Sequence, residues 1–239
     1  MKALLLLLAL CPAARAQSAA GAQRLYDQGD YAAAAVQYRA LAYKEPREAA
    51  WRYDLGNCLY KSGQLGRAIA SYQRAFDLAP RDGDVRFNLA FALRRAGEDL
   101  VPAGVPPLLF VAFNVLSAAE LAGLHWLGCW LTLLLGAWFL AQPKRRGLLS
   151  PCLIAAAALW LIAGSWWALR SWIEPSELGV VVVSTAELRS GPGEAFDVSF
   201  TVPEGRRVEV LSKQGDWLEV GLAKQGAKGF VRADAVEIP

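Results

Sequence analysis

The one histidine and four cysteines of this chain carry the widest catalytic repertoire, and their positions narrow the chemistry open to it. His125 lies inside a long apolar run, so the polar parts of the chain have no histidine to act as general base, nucleophile's partner or metal ligand. Glu120 stands five residues before it. The pair has two readings: an intramembrane proton site, or a helix-capping carboxylate followed by an interfacial histidine. The second is favoured, because Ser117-Ala-Ala-Glu120 has the spacing of a capping box. Cys11, Cys58, Cys129 and Cys152 show neither a C-x-x-C pair nor a metal-ligand spacing. Cys58 alone falls in a polar, helical stretch, where packing is its expected role. Neither a P-loop nor a dinucleotide fingerprint is present. The expectation is a protein that is not an enzyme, with no catalytic residues, no metal and no cofactor.

The elements around these residues explain why chemistry is sparse. Hydrophobic residues make up 55% of the 239, and they gather in a few segments, as membrane spans would require. The net charge of +3 is nearly balanced, so no basic field invites nucleic acid. Residues 1–16 read as a secretory signal peptide: Lys2, an apolar run to Leu10, and the cleavage site Ala14-Arg15-Ala16. A lipoprotein reading would modify Cys11, but Leu10 precedes it where a small residue is expected. Residues 101–117 form a linker and interfacial segment, in which Pro102, Pro106 and Pro107 prevent helix continuation. Two runs of spanning length follow, Ala118 to Ala141 and Leu148 to Leu169, giving a transmembrane hairpin over 118–170. The competing reading, two buried helices of a soluble domain, is weaker because length and lack of charge both fit spans. Lys144, Arg145 and Arg146 sit in the turn between them, with no Lys or Arg in the twenty or so residues before the first span. The positive-inside rule places that turn in the cytoplasm and both flanking domains outside.

Residues 17–100 repeat. Gly29, Gly63 and Gly97 recur at one interval, as do Ala34 and Ala68, Tyr38 and Tyr72, and Pro46 and Pro80. That interval, 34 residues, is the tetratricopeptide one, and the copy "AAWRYDLGNCLYKSGQLGRAIASYQRAFDLAP" resembles that family throughout. The first copy carries Ala22 where the packing glycine stands in the second, and the third supplies only a first helix. Two hairpins and a closing helix are fewer than the three repeats usually needed for independent stability, so support from a neighbouring element is expected. From 178 to 239 the pattern turns to period two, with short strands separated by "SGPGE", "PEGR", "KQGD" and "KQGA" turns. These residues resemble bacterial SH3 domains, small β-barrels, at Leu188–Gly193, Val202–Gly205, Gly215–Leu218 and Gly229–Val231. Trp217 and Phe230 are core aromatics or part of a recognition surface, with core favoured for Trp217. Arg189 is a further surface candidate. The fold class is therefore multi-domain α and β: tetratricopeptide hairpins, two transmembrane helices and an SH3-like barrel.

The tetratricopeptide resemblance implies a groove walled by the first helix of each hairpin. Tyr53, Asn57, Tyr60 and Lys61 would face it from the middle copy, and Asn88, Phe91, Arg94 and Arg95 from the third. Asn57 and Asn88 would bond an extended peptide backbone, while Arg94 and Arg95 would favour a carboxylate. The bland alternative is ordinary repeat sequence and a solvated basic face. The order of parts resembles the BatE-type proteins of bacterial Bat (aerotolerance) operons. That resemblance implies an inner-membrane scaffold with both soluble domains in the periplasm. It would act with von Willebrand A-type membrane proteins and a MoxR-type ATPase in envelope stress tolerance. Peptidoglycan is the alternative ligand, held by the barrel of a cell-wall sensor or tether.

Overall fold

The computed structural model describes residues 18–173, 177–222 and 226–239. The expected signal segment, 1–16, lies outside the described residues.

The chain is helical from residue 18 to 27 (α1). Four helices follow: α2 (Tyr31–Lys44), α3 (Ala49–Lys61), α4 (Leu65–Leu78) and α5 (Gly83–Arg95). The repeat is physical as well as textual. Gly29, Gly63 and Gly97 all take positive φ, 81°, 77° and 72°, the left-handed turn conformation that glycine adopts without steric cost. In the first hairpin the Tyr38 hydroxyl donates to Gln23 Oε1 at 3.0 Å; in the second, Tyr72 donates to Asn57 Oδ1 at 2.7 Å. Between them sits a core of Ala34, Leu41, Leu59, Ala68, Ile69, Leu89 and Leu93, all buried.

After α5 comes α6 (Pro107–Phe113), a short helix with Leu108 and Leu109 exposed. Two long apolar helices follow, α7 (Ala118–Ala141) and α8 (Arg146–Ile173), each long and apolar enough to cross a membrane. Ser117 Oγ accepts from Glu120 N at 3.3 Å, and Ser117 N donates to Glu120 Oε2 at 2.8 Å. The capping box is therefore formed, and Glu120 is spent as a cap. The turn between α7 and α8 is tight. Pro143–Arg145 form one turn of 3-10 helix and Arg146 already opens α8, its guanidinium 5.1 Å from the Phe139 ring centroid. Arg170 is buried and donates to Leu116 O at 2.6 Å. His125 packs among Trp126, Trp160 and Trp167, against Gly164.

The last part is an antiparallel sheet of seven strands: β1 (Leu178–Val181), β2 (Thr185–Arg189), β3 (Val198–Pro203), β4 (Arg207–Gln214), β5 (Trp217–Leu222), β6 (Ala227–Arg232) and β7 (Val236–Glu237). Their order is β3-β2-β6-β5-β4-β1-β7. One face is the core: Ala186 and Leu188 from β2, Val208 and Val210 from β4, Leu218, Val220 and Leu222 from β5, Val231 from β6. Trp217 is not in that core. Leu218 and Val220 point inward, so period-two geometry turns Trp217 and Glu219 to the other face, and the expectation of a core tryptophan is corrected.

The described residues fall into two compact units. Those up to Phe110 and from Glu177 onward form one, and those from Val111 to the end of α8 form the other. Helical repeats and sheet, far apart in sequence, thus belong to a single unit.

Candidate partner-binding groove

The first helices of the hairpins, α1, α3 and α5, supply most of the lining of an open groove of about 330 Å³. Its walls are Tyr26, Tyr53, Asn57, Tyr60, Lys61, Tyr72, Phe87, Asn88 and Phe91. Six of the eight residues named from sequence therefore come together: Tyr53, Asn57, Tyr60, Lys61, Asn88 and Phe91. Arg95 stands at the rim, donating from Nη1 to Tyr60 Oη at 3.0 Å with its guanidinium 5.8 Å from that ring's centroid. Arg94 is exposed and does not line the cavity.

A hydrogen-bonded row runs along the floor. Asn57 Oδ1 accepts from Tyr72 at 2.7 Å and from Asn88 Nδ2 at 3.0 Å, while Asn88 Nδ2 also donates to Tyr53 Oη at 3.0 Å. Asn57 has thereby committed its acceptor to the scaffold, and a side-chain hydrogen bond also joins it to Tyr53. Beside this row is an aromatic wall. Tyr60 meets Phe91 edge-on at 5.8 Å, and Phe87 stacks with Phe91 at 6.5 Å. Phe87 is 64% exposed and Phe91 45%, an apolar surface that water covers at a cost. Lys61 and Arg95 stand beside it, while Asp84, Asp54 and Asp82 act on Tyr53 of the same groove.

Three wall residues escaped the sequence reading. Phe87 had a signal, since it lies one helical turn before Phe91 and shares its face. Tyr72 had none, because it belongs to the second helix of its hairpin and reaches the groove only through the space that Gly56 leaves. A β-carbon added at Gly56 would stand 2.6 Å from the Tyr72 ring. Tyr26 comes from the first copy, to which no groove residue had been assigned.

Near the groove, Cys58 is fully buried, and burial pushes its thiol up to about 11. Thiolate is scarce at neutral pH in such a site, and the thiol packs as a small apolar group. Among the described residues no group of three or more His, Cys, Asp or Glu is placed to hold a metal ion. On the sheet, Arg189 spends its guanidinium on the following loop. It donates to Glu194 O at 2.7 Å and Phe196 O at 2.8 Å and pairs with Glu187, so it is a clip for the 190–197 loop.

Comparison with known proteins agrees with these two architectures. Residues 20–82 and 59–99 match the tetratricopeptide repeat family, and residues 184–237 match the bacterial SH3 domain. The chain carries tetratricopeptide repeats and a bacterial SH3 domain. Both are non-catalytic binding modules. Through the SH3 region it is 32% identical over 90 residues to a Bacillus subtilis (strain 168) protein named "Putative N-acetylmuramoyl-L-alanine amidase YrvJ". That match takes in 37% of this chain and 16% of the amidase, so the chain spans about a sixth of that relative. Among solved structures, the Yersinia enterocolitica type III secretion translocator chaperone SycD, in an alternative dimer, is 20% identical with a TM-score of 0.34, over 59% of this chain and 90% of that one. SycD in complex with a peptide of the translocator YopD gives 23% identity and a TM-score of 0.33, over 59% and 89%. Scores of this size carry no argument about what this chain binds.

Proposed function

We propose that the chain is a non-enzymatic, membrane-anchored adaptor whose groove holds an extended segment of a protein partner. The observation that carries this reading is the pairing, in one open cavity, of amide groups on Asn57 and Asn88 with the exposed wall of Phe87 and Phe91. Backbone amides of a peptide satisfy the first, and alternate apolar side chains cover the second. Lys61 and Arg95 bias the choice toward a segment bearing carboxylates, and Arg94 extends that field along the same helix.

Charge and continuity support the compartment. Lys144, Arg145 and Arg146 are the basic turn between two apolar helices, which favours a cytoplasmic turn and periplasmic flanks. Repeats and sheet pack on one another within one unit, which supports placing the two flanks in one compartment. An inner-membrane protein of the BatE type, working with von Willebrand A-type partners in envelope stress tolerance, fits this arrangement. A second reading, cell-wall attachment through the SH3 domain, is favoured by the likeness of that domain to part of an amidase.

The test is a photo-crosslinking residue placed at Phe87 in the full chain in native membranes. The expected result is an adduct with a discrete membrane or envelope polypeptide that disappears when Phe91→Glu and Asn88→Ala are added. An adduct pattern indifferent to those substitutions rules the groove out. Sedimentation of the detergent-solubilised chain with purified cell wall addresses the second reading: retention that is lost with Trp217→Ala and Phe230→Ala supports it.

A further inference from the structure

The sheet touches the helices at a set of built contacts. Gly66 in the first turn of α4 lies against β1, where an added β-carbon would stand 2.1 Å from Val181 O and 2.9 Å from Val182 Cα. The Gly66 amide donates to Glu204 Oε1 at 2.8 Å. This bond repairs a defect in the repeat. In the first copy Asp30 caps α2 by accepting from Ala33 N at 3.0 Å; the equivalent residue of the second copy, Gln64, makes no side-chain cap bond. Glu204, from the far end of the chain, supplies the carboxylate that the α4 N-terminus lacks.

The turn after β3 completes the contact. Gly205, at φ +80°, sits so close that an added β-carbon would be 2.7 Å from Ala96 Cβ and 2.9 Å from Ile69 Cδ1. Arg206 and Arg207 flank it and enclose Glu98, which is 5% exposed, at 2.8 Å and 3.7 Å. Arg207 also donates to Asp99 O. Val180 of β1 is fully buried in the helical core, whereas its neighbour Val181 belongs to the sheet's own core. Two glycines without room for a side chain, a buried three-charge clasp and a shared core residue are the marks of a permanent interface, not of two modules on a tether.

We infer that the SH3 sheet does the work of the missing second helix of the third repeat. It closes the open flank of α4 and the end of α5, so that repeats and sheet stand as one receptor. The chain thereby reaches stability with two hairpins and a lone helix, and the groove on the opposite helices stays open. The sheet's β1 edge and its β3–β4 turn are consumed, so any ligand of the SH3 domain must use its remaining surface, where Trp217 and Phe230 lie. This inference does not depend on the groove binding anything.

Hydrogen exchange on the full chain in detergent micelles tests it without a ligand. Glu98→Gln loosens the clasp, and Gly205→Val forces the turn away from Ala96. In both, amides of α4 and α5 should exchange at least about tenfold faster while β5 and β6, held by the sheet's own core, keep their protection. Unchanged protection of α4 and α5 in Glu98→Gln, the variant that adds no bulk, overturns the inference. So does a double variant Glu98→Gln, Arg206→Gln whose losses are the plain sum of the singles, because a working clasp makes them non-additive.

Discussion

At the residue scale, the groove's neighbourhood contains one group held against its chemistry. Burial raises the Asp54 carboxyl from its ordinary value near 3.8 to about 6. A carboxyl raised in the folded state binds more protons folded than unfolded between those two values. Its ionisation therefore subtracts stability as pH rises through that window, and the loss is complete above it. Asp54→Asn removes the cost. The expected outcome is a Tm several degrees higher than the parent at pH 7.5, with the gain shrinking toward zero by pH 4, read by differential scanning of the detergent-solubilised protein. A gain that stays constant across the pH range would show that packing, not ionisation, is responsible. Asn57 teaches a related lesson. Sequence offers it as a peptide-binding amide, and the fold first uses its oxygen to fix Tyr72 and Asn88. A further side-chain hydrogen bond with Tyr53 helps to fix its rotamer. A side chain preorganised in this way loses little entropy when a ligand arrives.

At the element scale, the hairpins were legible because a 34-residue interval writes turn, packing and stop residues in register. Gly56 shows how one position carries an element's geometry. The Tyr72 ring occupies the space of its absent side chain, which brings α3 and α4 together and delivers the Tyr72 hydroxyl to the groove floor. Gly56→Ala should lose about 1–3 kcal/mol of stability by overpacking, measured as a lower denaturation midpoint. The gain in helix propensity from glycine to alanine, about 1 kcal/mol, offsets part of this without reversing it. The apolar hairpin and the strands were legible too, from length, charge and period-two alternation. What escaped was long-range: Tyr72 crossing to the groove, Trp217 facing outward, and the sheet resting on the helices. Pairings 138 residues apart, such as Gly66 with Glu204, have no local signature. One hint was present. The run Val180-Val-Val-Val183 is apolar on both strand faces, and a strand that alternates toward water does not need that. Val180 serves the helical core and Val181 the sheet core.

At the scale of the whole molecule, topology and tertiary contact constrain each other. Two crossings by the apolar helices would return the chain to the side it left, which agrees with the repeat–sheet interface, since Glu98 and Arg206 flank those helices in sequence yet meet at 2.8 Å. One crossing, or three, would strand a buried glutamate without its arginines, a loss of several kcal/mol. The charges favour one side for such a return. Lys144, Arg145 and Arg146 crowd the turn, whereas the approach to α7 has Glu98 and Asp99 as its nearest charges before Glu120. Lys and Arg clustered in a short turn next to apolar helix ends are what the positive-inside rule weighs, and here they favour a cytoplasmic turn. In a background with Cys58, Cys129 and Cys152 replaced by Ala, a cysteine at Asp216, in the turn between β4 and β5, should react with a membrane-impermeant maleimide in cells whose outer envelope alone is opened. A cysteine at Lys144 should react only after the inner membrane is permeabilised. The reverse pattern would place the receptor in the cytoplasm and remove the periplasmic reading together with its partners. Equal labelling at both sites would mean that the two apolar helices do not cross, leaving the receptor packed as drawn but on a different support.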